Sequence, residues 1–341
     1  MPTTVKAWAA LEPGAGLQPF TYEMSPLTAE EAEIEVEHCG ICHTDISFIK
    51  NEWGTIPFPL VPGHEITGKI VALGDVAKQK GLHIGQTVGV GWYTETCMHC
   101  DPCLDGDQHL CKNSKATIWG NHGGFANRIK TNWLWAIPIP ENMNSADAGP
   151  LFCAGITVFS PLMEYGAKPT DRIGVFGIGG LGHLAIQFAH AWGSEVTAFS
   201  STASKYDEIK KLGADHVVSS RDTNEWEALK GTFDLILITV AVPLDWDKII
   251  ALLSPKGRLH FVGIVFDPIP VSVVSLLLPQ TSISASPGGS RGIMGKMLRF
   301  AARHNISPVT EHFPMSKVNE AITHVEAGKA NYRVVLDADF E

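Results

Sequence analysis

Arg172-Ile-Gly-Val-Phe-Gly-Ile-Gly-Gly-Leu-Gly182 is the stretch that decides the fold of this chain of 341 residues. It begins as a short apolar run typical of a buried strand, and a helix-like segment, Leu181–Trp192, follows its glycines. In such a strand–turn–helix the first glycine permits a tight turn, the second lets a pyrophosphate approach the backbone, and the third lets helix and strand pack closely. A glycine-rich turn without a ligand is the alternative. The residues predicted to bind a dinucleotide are Gly177, Gly179, Gly180, Leu181 and Gly182.

Strands and helices alternate downstream of this turn, which is typical of a parallel sheet wrapped by helices. Upstream of Cys153 the chain has short apolar runs between Gly and Pro turns, a pattern typical of a small barrel-like β domain. We therefore expect an α/β chain of two domains, the second with a doubly wound parallel sheet. The predicted downstream elements are strands Glu195–Ser200, His216–Ser219, Phe233–Val240, Arg258–Val265 and Ser282–Ser286, and helices Ser204–Leu212, Asp245–Leu253, Met294–His304 and Val318–Ala327.

Composition and charge narrow the class of protein. The chain is 45% hydrophobic and 18% charged, which is ordinary for a globular protein. Its formal net charge of −10 argues against nucleic acids and anionic membranes as partners, because a phosphate-binding face has to be basic. The start, MPTTVKAWAALEPG, lacks the layout of a signal peptide, and no uninterrupted apolar stretch reaches the ~20 residues of a membrane span. We expect a cytoplasmic protein.

Cys97-x2-Cys100-x2-Cys103-x7-Cys111 places four of the seven cysteines in one short segment, called the cysteine loop below. Thiolates about 2.3 Å from a tetrahedral Zn²⁺ need such crowding, with turns between the ligands. The intervening Asp, Pro, Gly and Gln suit tight turns. We predict a closed, structural zinc site here; an iron–sulfur cluster and four free cysteines are the alternatives.

Cys42, His64 and Cys153 are three further potential ligands, and chemistry gives a reason to group them. A catalytic zinc takes three protein ligands and keeps one position open. Two thiolates and one imidazole leave the ion neutral overall and still able to polarise a carbonyl. Glu65 and Asp45 are carboxylates that can orient the ligands. Taken singly, a buried cysteine or a lone histidine is more often a structural residue.

Gly40-Ile-Cys-His-Thr-Asp45 and Gly63-His-Glu65, with the cysteine loop and the glycine fingerprint, resemble the medium-chain zinc-dependent alcohol dehydrogenases. The resemblance runs through nearly the whole chain, as far as Tyr332-Arg-Val-Val335. It is strongest toward the NADPH-dependent aldehyde reductases of the cinnamyl-alcohol-dehydrogenase branch. It implies a GroES-like, β-barrel-type catalytic domain over residues 1–153 and 289–341, and a Rossmann dinucleotide-binding domain over residues 154–288.

The resemblance also implies a role for individual residues in the metal site. Cys42, His64 and Cys153 would bind the catalytic zinc, Glu65 would be able to approach it, and Asp45 would support the imidazole. With the cysteine loop this makes two zinc ions per chain. Cys39 is then left over, and we expect it to serve packing.

The same resemblance gives the proton relay and two cofactor contacts. Thr44 would begin the relay, and His43 and Arg333 would lie near the cofactor phosphates. Many relatives carry a histidine where this chain has Ser47, as the outer end of the relay. Delivery of the proton through Ser47, through a water chain or through the cofactor ribose therefore stays open.

Ser200 stands where NAD enzymes usually have Asp or Glu, at the end of the second strand. A carboxylate there repels a 2′-phosphate, whereas the hydroxyls of Ser200, Ser201 and Thr202 and the Lys205 cation would hold one. A charge-assisted hydrogen bond adds about 1.5–3 kcal/mol, roughly ten- to a hundredfold in affinity. A serine-rich turn also suits a helix cap. We predict NADP(H), as in the related reductases, with NAD(H) as the alternative.

The predicted reaction is the reversible reduction of an aldehyde to a primary alcohol, with NADPH as hydride donor and zinc as Lewis acid. Trp53, Tyr93 and Trp119 are predicted to wall an apolar pocket, although large aromatic residues are as often plain core. Relatives pair through the edge of the nucleotide-domain sheet, so the resemblance implies a homodimer with Thr281–Ala285 as that edge. The other classes considered are a zinc-free quinone or enoyl reductase, a zinc-ribbon binding module and an NADP-binding protein without catalysis.

Overall fold

The structure is a computed structural model, and it describes residues 2–340. The chain divides into two compact units. The first unit comprises Met1–Cys153 and Ser290–Glu341, and the second comprises Ala154–Gly289. No single helix between residues 2 and 340 is long and apolar enough to cross a membrane; one pair of consecutive helical segments, within residues 145–164, meets that test by length and composition when counted together.

The first unit is built mainly of β-strands. Its strands before Cys153 are β1 (Thr3–Ala9), β2 (Gln18–Met24), β3 (Glu31–Ile41), β4 (Ile66–Leu73), β5 (Thr87–Val90), β6 (Tyr93–Glu95), β7 (Lys115–Ala116), β8 (Arg128–Asn132) and β9 (Ile137–Pro138). Its helices in the same part are α1 (His43–Ile49), α2 (Asp101–Leu104) and α3 (Ser145–Ala148), with short 3₁₀ turns at Ala77–Lys80, Gln108–Leu110 and Gly149–Phe152.

The second unit alternates strands with helices. Its strands are β10 (Arg172–Phe176), β11 (Glu195–Ser200), β12 (His216–Ser219), β13 (Phe233–Ile238), β14 (Leu253–Phe261) and β15 (Ser282–Ala285). Its helices are α4 (Ala154–Glu164), α5 (Gly182–Trp192), α6 (Tyr206–Lys211), α7 (Trp246–Ile250) and α8 (Val273–Leu277), with 3₁₀ turns at Ala203–Lys205 and Glu227–Leu229. The chain then returns to the first unit as α9 (Arg291–His304), β16 (Thr310–Pro314), the 3₁₀ turn Met315–Lys317, α10 (Val318–Glu326) and β17 (Arg333–Asp337).

The sheet of the second unit, all of which is described, has six parallel strands in the order β12-β11-β10-β13-β14-β15. Counted from β10, this is the order 3-2-1-4-5-6 of a doubly wound dinucleotide-binding sheet. Strands of a sheet that is covered by helices on both faces have nearly continuous apolar sequences, as in Phe233-Asp-Leu-Ile-Leu-Ile238. The predicted α/β fold class, with a parallel doubly wound sheet, is confirmed.

The main sheet of the first unit, within residues 2–340, has seven strands: β16-β17-β3-β4-β5-β9, with β8 also paired to β3. Burial alternates along the first part of β3, with Ala32, Ile34 and Val36 in the core, as expected for a strand with one buried face. Its pairings within the first unit are antiparallel except for β16 with β17. This is the β-rich unit predicted for the region upstream of Cys153.

Two predicted element boundaries differ from the structure for a local reason. Arg258–Val265 was predicted as a strand after a helix reaching Leu253, but β14 already begins at Leu253. The turn-like Pro255-Lys-Gly257 lies inside β14, where Lys256 takes a positive φ of 66° and the pairing with β13 shifts register. A bulge of this kind keeps a strand continuous through residues that otherwise predict a turn.

Candidate active site

Cys42, His64, Glu65 and Cys153 meet in the first unit, where one donor atom from each lies within 4.8 Å of the others. The Cys42 and Cys153 sulfurs are 3.9 Å apart, and His64 Nε2 is 3.3 Å from the Cys153 sulfur. Strand register explains part of the meeting, because Cys42 directly follows β3, Glu65 immediately precedes β4, and β3 pairs with β4. Cys153 comes from a separate segment, directly after the 3₁₀ turn Gly149–Phe152. Three distant segments of sequence therefore place donors around one point.

The donor set fits a single zinc ion. Around a tetrahedral Zn²⁺ with bonds of about 2.3 Å, two sulfurs stand roughly 3.8 Å apart, close to the 3.9 Å between Cys42 and Cys153. Thiolate and imidazole are ligands that zinc prefers. Glu65 adds a second sign, since its buried Oε2 has no hydrogen-bond partner among residues 2–340. A buried carboxylate oxygen without a partner is costly, and a bound cation would satisfy it.

Asp45 is fully buried and holds two of these donors in place. Its Oδ2 accepts a hydrogen bond from the Cys42 backbone N–H at 3.0 Å, and its Oδ1 lies 2.9 Å from His64 Nδ1. The Gly63 backbone N–H also donates to Oδ1, at 2.9 Å. A carboxylate on Nδ1 selects the tautomer that leaves Nε2 for a metal. Burial is the largest single effect and lowers the pKa of His64, but the charge and hydrogen bond of Asp45, together with those of Cys42, outweigh it and raise that pKa well above its usual value.

Glu65 is paired with Arg333, the first residue of β17, which donates from Nη2 to Glu65 Oε1. Both side chains are buried, and burial raises the pKa of Glu65 although the Arg333 charge opposes it. Room for the carboxylate depends on Gly40, because a Cβ there would lie 2.2 Å from Glu65 Oε2. The guanidinium predicted to lie near the cofactor phosphates is thus held beside the metal-binding residues; its contact with a cofactor stays a prediction.

The two thiols do not titrate alike. A hydrogen bond with Cys153 lowers the pKa of Cys42 well below its usual value, and the same bond raises that of Cys153. The pair therefore holds one thiolate readily, and a cation is needed to favour the second. Cys39, the cysteine expected to serve packing, is fully buried in the apolar core, and burial raises its pKa.

The predicted relay residues lie on α1. The Cys42 thiol is 3.7 Å from the Thr44 hydroxyl, so Thr44 lies beside the metal-binding residues. Ser47 is buried and its hydroxyl donates to Oε2 of the exposed Glu52 at 2.5 Å. His43 is the exposed first residue of α1. Sequence reasoning missed Glu52, because it lies beyond the helix end, where spacing alone does not predict a contact.

Aromatic rings surround Phe48 on the same helix and form what we call the aromatic cluster. Ring centroids lie 4.9 Å from Phe48 for Trp53, 5.8 Å for Trp92 and 5.7 Å for Trp119. Trp92 also meets His64, at 5.2 Å between ring centroids. Two of the three predicted pocket residues, Trp53 and Trp119, therefore belong to one cluster that reaches His64, a predicted zinc ligand.

Tyr93 has other neighbours than the aromatic cluster. Its hydroxyl donates to the His109 carbonyl at 2.8 Å, and its ring lies 5.0 Å from that of Trp135. Burial raises its pKa to about 12. Trp92 lies in the bend just before β6 and contacts His64, whereas Tyr93, the first residue of β6, contacts His109 in the cysteine loop. Trp92 was missed by the sequence analysis, because no local pattern distinguishes its contacts from those of the neighbouring Tyr93.

The cysteine loop brings its four sulfurs together within 4.8 Å of one another. The Cys97 sulfur lies 3.5 Å from that of Cys111 and 4.0 Å from that of Cys103, close to the separation of about 3.8 Å that tetrahedral zinc–thiolate geometry requires. The His99 backbone N–H donates to Cys97 and lowers the pKa of that thiol to about 6, which makes a thiolate available. The loop therefore fits a second zinc ion.

In the second unit, a glycine is needed for a different structural reason at each of Gly177, Gly179 and Gly182. Gly177 has φ of +90°, and a Cβ there would lie 2.1 Å from Val240. A Cβ on Gly182 would lie 2.0 Å from the Gly177 carbonyl, so this glycine allows α5 to pack closely. A Cβ on Gly179 meets no described atom within 4 Å. The open space at Gly179, at the amino end of α5, is what close approach of a pyrophosphate requires.

The turn after β11 carries the predicted 2′-phosphate residues. Ser200 is buried at the end of β11, where its hydroxyl accepts from the Thr202 backbone N–H at 3.2 Å. Ser201 and Thr202 are exposed, and Lys205 ends the following 3₁₀ turn half-buried. The turn after β11 thus carries hydroxyl side chains and a lysine, and Ser200 stands at the strand end in place of a carboxylate.

Comparison with known proteins agrees with the fold. The family model described as "Alcohol dehydrogenase GroES-like domain" matches residues 28–141, and the one described as "Zinc-binding dehydrogenase" matches residues 180–303. The fold and the two ligand clusters define a zinc-dependent alcohol dehydrogenase, and the chain belongs to that family. It is an oxidoreductase by class.

Within the family, the chain is similar to enzymes that act on aldehydes and alcohols. It is 48% identical to "Aldehyde reductase AdhA" of Synechocystis over 97% of this chain and 98% of that protein. Cinnamyl alcohol dehydrogenase SbCAD4 from Sorghum bicolor superposes with a TM-score of 0.94 at 33% identity, covering 99% of each chain. The enzyme CAD from Helicobacter pylori, solved with NADP(H), superposes with a TM-score of 0.91 at 28% identity, again over 99% of each chain.

Proposed function

We propose that this chain is a zinc-dependent oxidoreductase that reversibly reduces aldehydes to primary alcohols with NADPH. The observation that carries the proposal is the meeting of Cys42, His64 and Cys153 beside the aromatic cluster. The 48% identity to an aldehyde reductase over nearly the whole chain supports the direction and the substrate class. NAD(H) as coenzyme is the alternative.

Two zinc ions per chain fit the residues present. Cys42, His64 and Cys153, with Glu65 in reach, would hold the catalytic ion, and the cysteine loop would hold the structural one. A catalytic zinc supplies a Lewis acid that polarises the substrate oxygen, and NADPH supplies the hydride. We propose that the first unit carries the catalytic residues and that the second binds the dinucleotide, through the glycine fingerprint and the turn after β11.

The chain's own residues would handle the proton. The Thr44 hydroxyl lies beside the Cys42 thiol and would exchange a proton with the substrate oxygen. Ser47 and Glu52 offer an outer end for the relay, because a buried hydroxyl is hydrogen-bonded there to an exposed carboxylate. Glu52 would then take the place of the histidine that many relatives carry.

The aromatic cluster favours apolar substrates. Phe48, Trp53, Trp92 and Trp119 present ring faces and edges near His64, with Trp119 40% exposed. Apolar walls with few polar groups are typical of pockets for small apolar ligands. We expect aliphatic and aromatic aldehydes of medium size to react better than short polar ones.

We further propose that the protein is a cytoplasmic homodimer. β15 is the edge strand of the second unit's sheet, as expected for the predicted dimer edge Thr281–Ala285. The neighbouring α8 and the residue that caps it expose four apolar side chains to between 62% and 75%: Val273, Val274, Leu277 and Leu278. An apolar surface of this kind is typical of a protein–protein interface.

The deciding experiment measures kcat/KM for a panel of aldehydes and, by elemental analysis, the zinc content per chain. The purified protein should reduce hexanal and benzaldehyde with higher kcat/KM than acetaldehyde, and prefer NADPH to NADH. Cys153→Ala should lose this activity and one zinc per chain, while Cys39→Ala, a change of a buried cysteine outside both clusters, should keep the zinc content. Equal use of NADH would refute the coenzyme assignment, and a full zinc content in Cys153→Ala would refute the metal site.

A further inference from the structure

A third group of potential metal ligands lies on the main sheet of the first unit, apart from the two clusters described above. It consists of His38 on β3, His312 on β16 and Asp337 on β17. These three strands are neighbours in the sheet, and Asp337 pairs directly with His38. One ligand atom from each residue lies within 4.8 Å of the other two.

The two imidazoles point the same nitrogen at one carboxylate oxygen. His38 Nδ1 lies 2.7 Å from Asp337 Oδ1, and His312 Nδ1 lies 2.8 Å from the same oxygen. Transition metals such as zinc bind sets of two imidazole nitrogens and one carboxylate oxygen, and water then fills the remaining coordination positions. Here the three ligand atoms are held on neighbouring strands of one sheet. Without a metal, the same contacts require a proton on each Nδ1.

The far nitrogen of His312 is fixed as it is in metal-binding histidines. His312 Nε2 lies 3.0 Å from Asp147 Oδ1, which leaves Nδ1 facing Asp337 and His38. Asp147 is itself held, because Thr310 donates to its Oδ1 and Asn144 Nδ2 donates to its Oδ2 at 2.5 Å. Carboxylates on the outer nitrogen orient a ligand imidazole and raise its basicity, and their loss weakens metal binding.

The group is open to solvent on one side. The side chains of His38, His312 and Asp337 are 23%, 32% and 43% exposed. A surface cavity of about 740 Å³ lies next to them and is lined in part by His38 and Asp337. An ion from solution can therefore reach the three ligand atoms without opening the fold.

We propose that His38, His312 and Asp337 form a third metal site, which binds one divalent transition metal of the zinc class, with Asp147 positioning His312. The site joins β3, β17 and β16, so a bound ion links three strands that come from opposite ends of the sequence. Its occupation stabilises the first unit, by an amount that grows with the logarithm of the free metal concentration once that concentration exceeds the Kd.

Equilibrium dialysis against micromolar Zn²⁺, starting from the zinc-loaded protein, tests the proposal. Wild type should take up one zinc per chain more than His312→Ala and His38→Ala, as measured by elemental analysis. His216→Ala is the matched control, because His216 is also a partly exposed histidine paired with a carboxylate, Glu195, but lies in the second unit. The control should bind as much zinc as wild type.

A thermal readout separates metal binding from a structural role. Added Zn²⁺ should raise the Tm of wild type and of His216→Ala, and should leave that of His312→Ala unchanged. Equal zinc uptake by wild type, His312→Ala and His38→Ala would overturn the proposal, as would wild type that binds no zinc beyond the two cysteine-containing clusters. Aldehyde reduction with NADPH is measured separately and does not depend on this result.

Discussion

At the scale of single residues, Asp45 holds together the segments that build the candidate active site. It holds the Cys42 backbone, the Gly63 backbone and the His64 imidazole at once. Its carboxylate is fully buried, so each of these contacts works in a low-dielectric setting where it is strong. One residue in the first turn of α1 thus ties the end of β3 to the segment before β4.

Ser200→Asp is the residue-scale prediction for the coenzyme. A carboxylate at the end of β11 would repel a 2′-phosphate, so kcat/KM with NADPH should fall roughly ten- to a hundredfold, the worth of one charge-assisted bond. kcat/KM with NADH should stay level or rise. Ser200→Asn introduces a side chain of nearly the same volume as aspartate but without its charge, and this variant should keep the preference for NADPH. Unchanged NADPH efficiency in Ser200→Asp would place the 2′-phosphate elsewhere.

Glu52→Gln is the corresponding prediction for the proton relay. Glutamine keeps an oxygen that accepts the Ser47 hydroxyl hydrogen bond but cannot take up a proton. We therefore expect kcat to fall roughly tenfold, a smaller loss than is usual for a proton-transfer group in direct contact with substrate. KM should change little, and kcat should vary less with pH than in wild type. Glu326→Gln removes a carboxylate from Lys50 on the same surface and should leave kcat unaltered. A wild-type pH profile for Glu52→Gln would contradict the relay.

At the scale of elements, the cysteine loop is a unit whose stability should depend on its metal. Cys103→Ser replaces a buried thiol with a poor zinc ligand. We expect the loss of one zinc per chain and a fall in the free energy of unfolding on the order of 3 kcal/mol, since metal binding and folding are linked. Elemental analysis and thermal denaturation measure both quantities. Full zinc content in Cys103→Ser would show that the loop does not bind the ion through four thiolates.

Elements with one clear local signal could be predicted from the sequence, and those shaped by their neighbours could not. The strand at Arg172–Phe176 and the helix after it follow from apolar runs and glycines, and the structure has them at nearly the predicted bounds. α4 was not predicted, because Pro161 lies inside it and proline usually interrupts helices. The contacts of Trp92 and Tyr93 also depend on how the chain is placed around β6, which no local pattern reveals.

The same distinction holds for the candidate site. Short motifs around Cys42, His64 and Cys153 predicted their ligand chemistry, but only the register of β3 with β4 brings the first two together. Arg333 reaches Glu65 because β17 pairs with β3, a contact between residues 268 positions apart in sequence. Long-range pairing of this kind is set by the packing of the whole sheet and is invisible to spacing arguments.

At the scale of the whole molecule, Leu277→Glu tests the proposed homodimer. A charge in the middle of the exposed apolar surface of α8 should convert the dimer to a monomer, as judged by sedimentation velocity or light scattering. Leu104→Glu is the matched control, since Leu104 on α2 is 71% exposed, close to the 67% of Leu277, and lies in the first unit. A monomeric wild type would refute the dimer.

The position of β17 has a consequence for how the protein is made. This strand lies inside the first unit's sheet, between β16 and β3, yet the ribosome produces it after the entire second unit. The second unit is continuous in sequence and can fold while the nascent chain is still being extended. The first unit cannot complete its sheet before β17 is available. Until then the Glu65 carboxylate has no ion pair with Arg333, which lies on β17. We therefore expect the candidate active site to form only once β17 has been synthesised, and chaperones to meet the first unit with an open gap in its sheet.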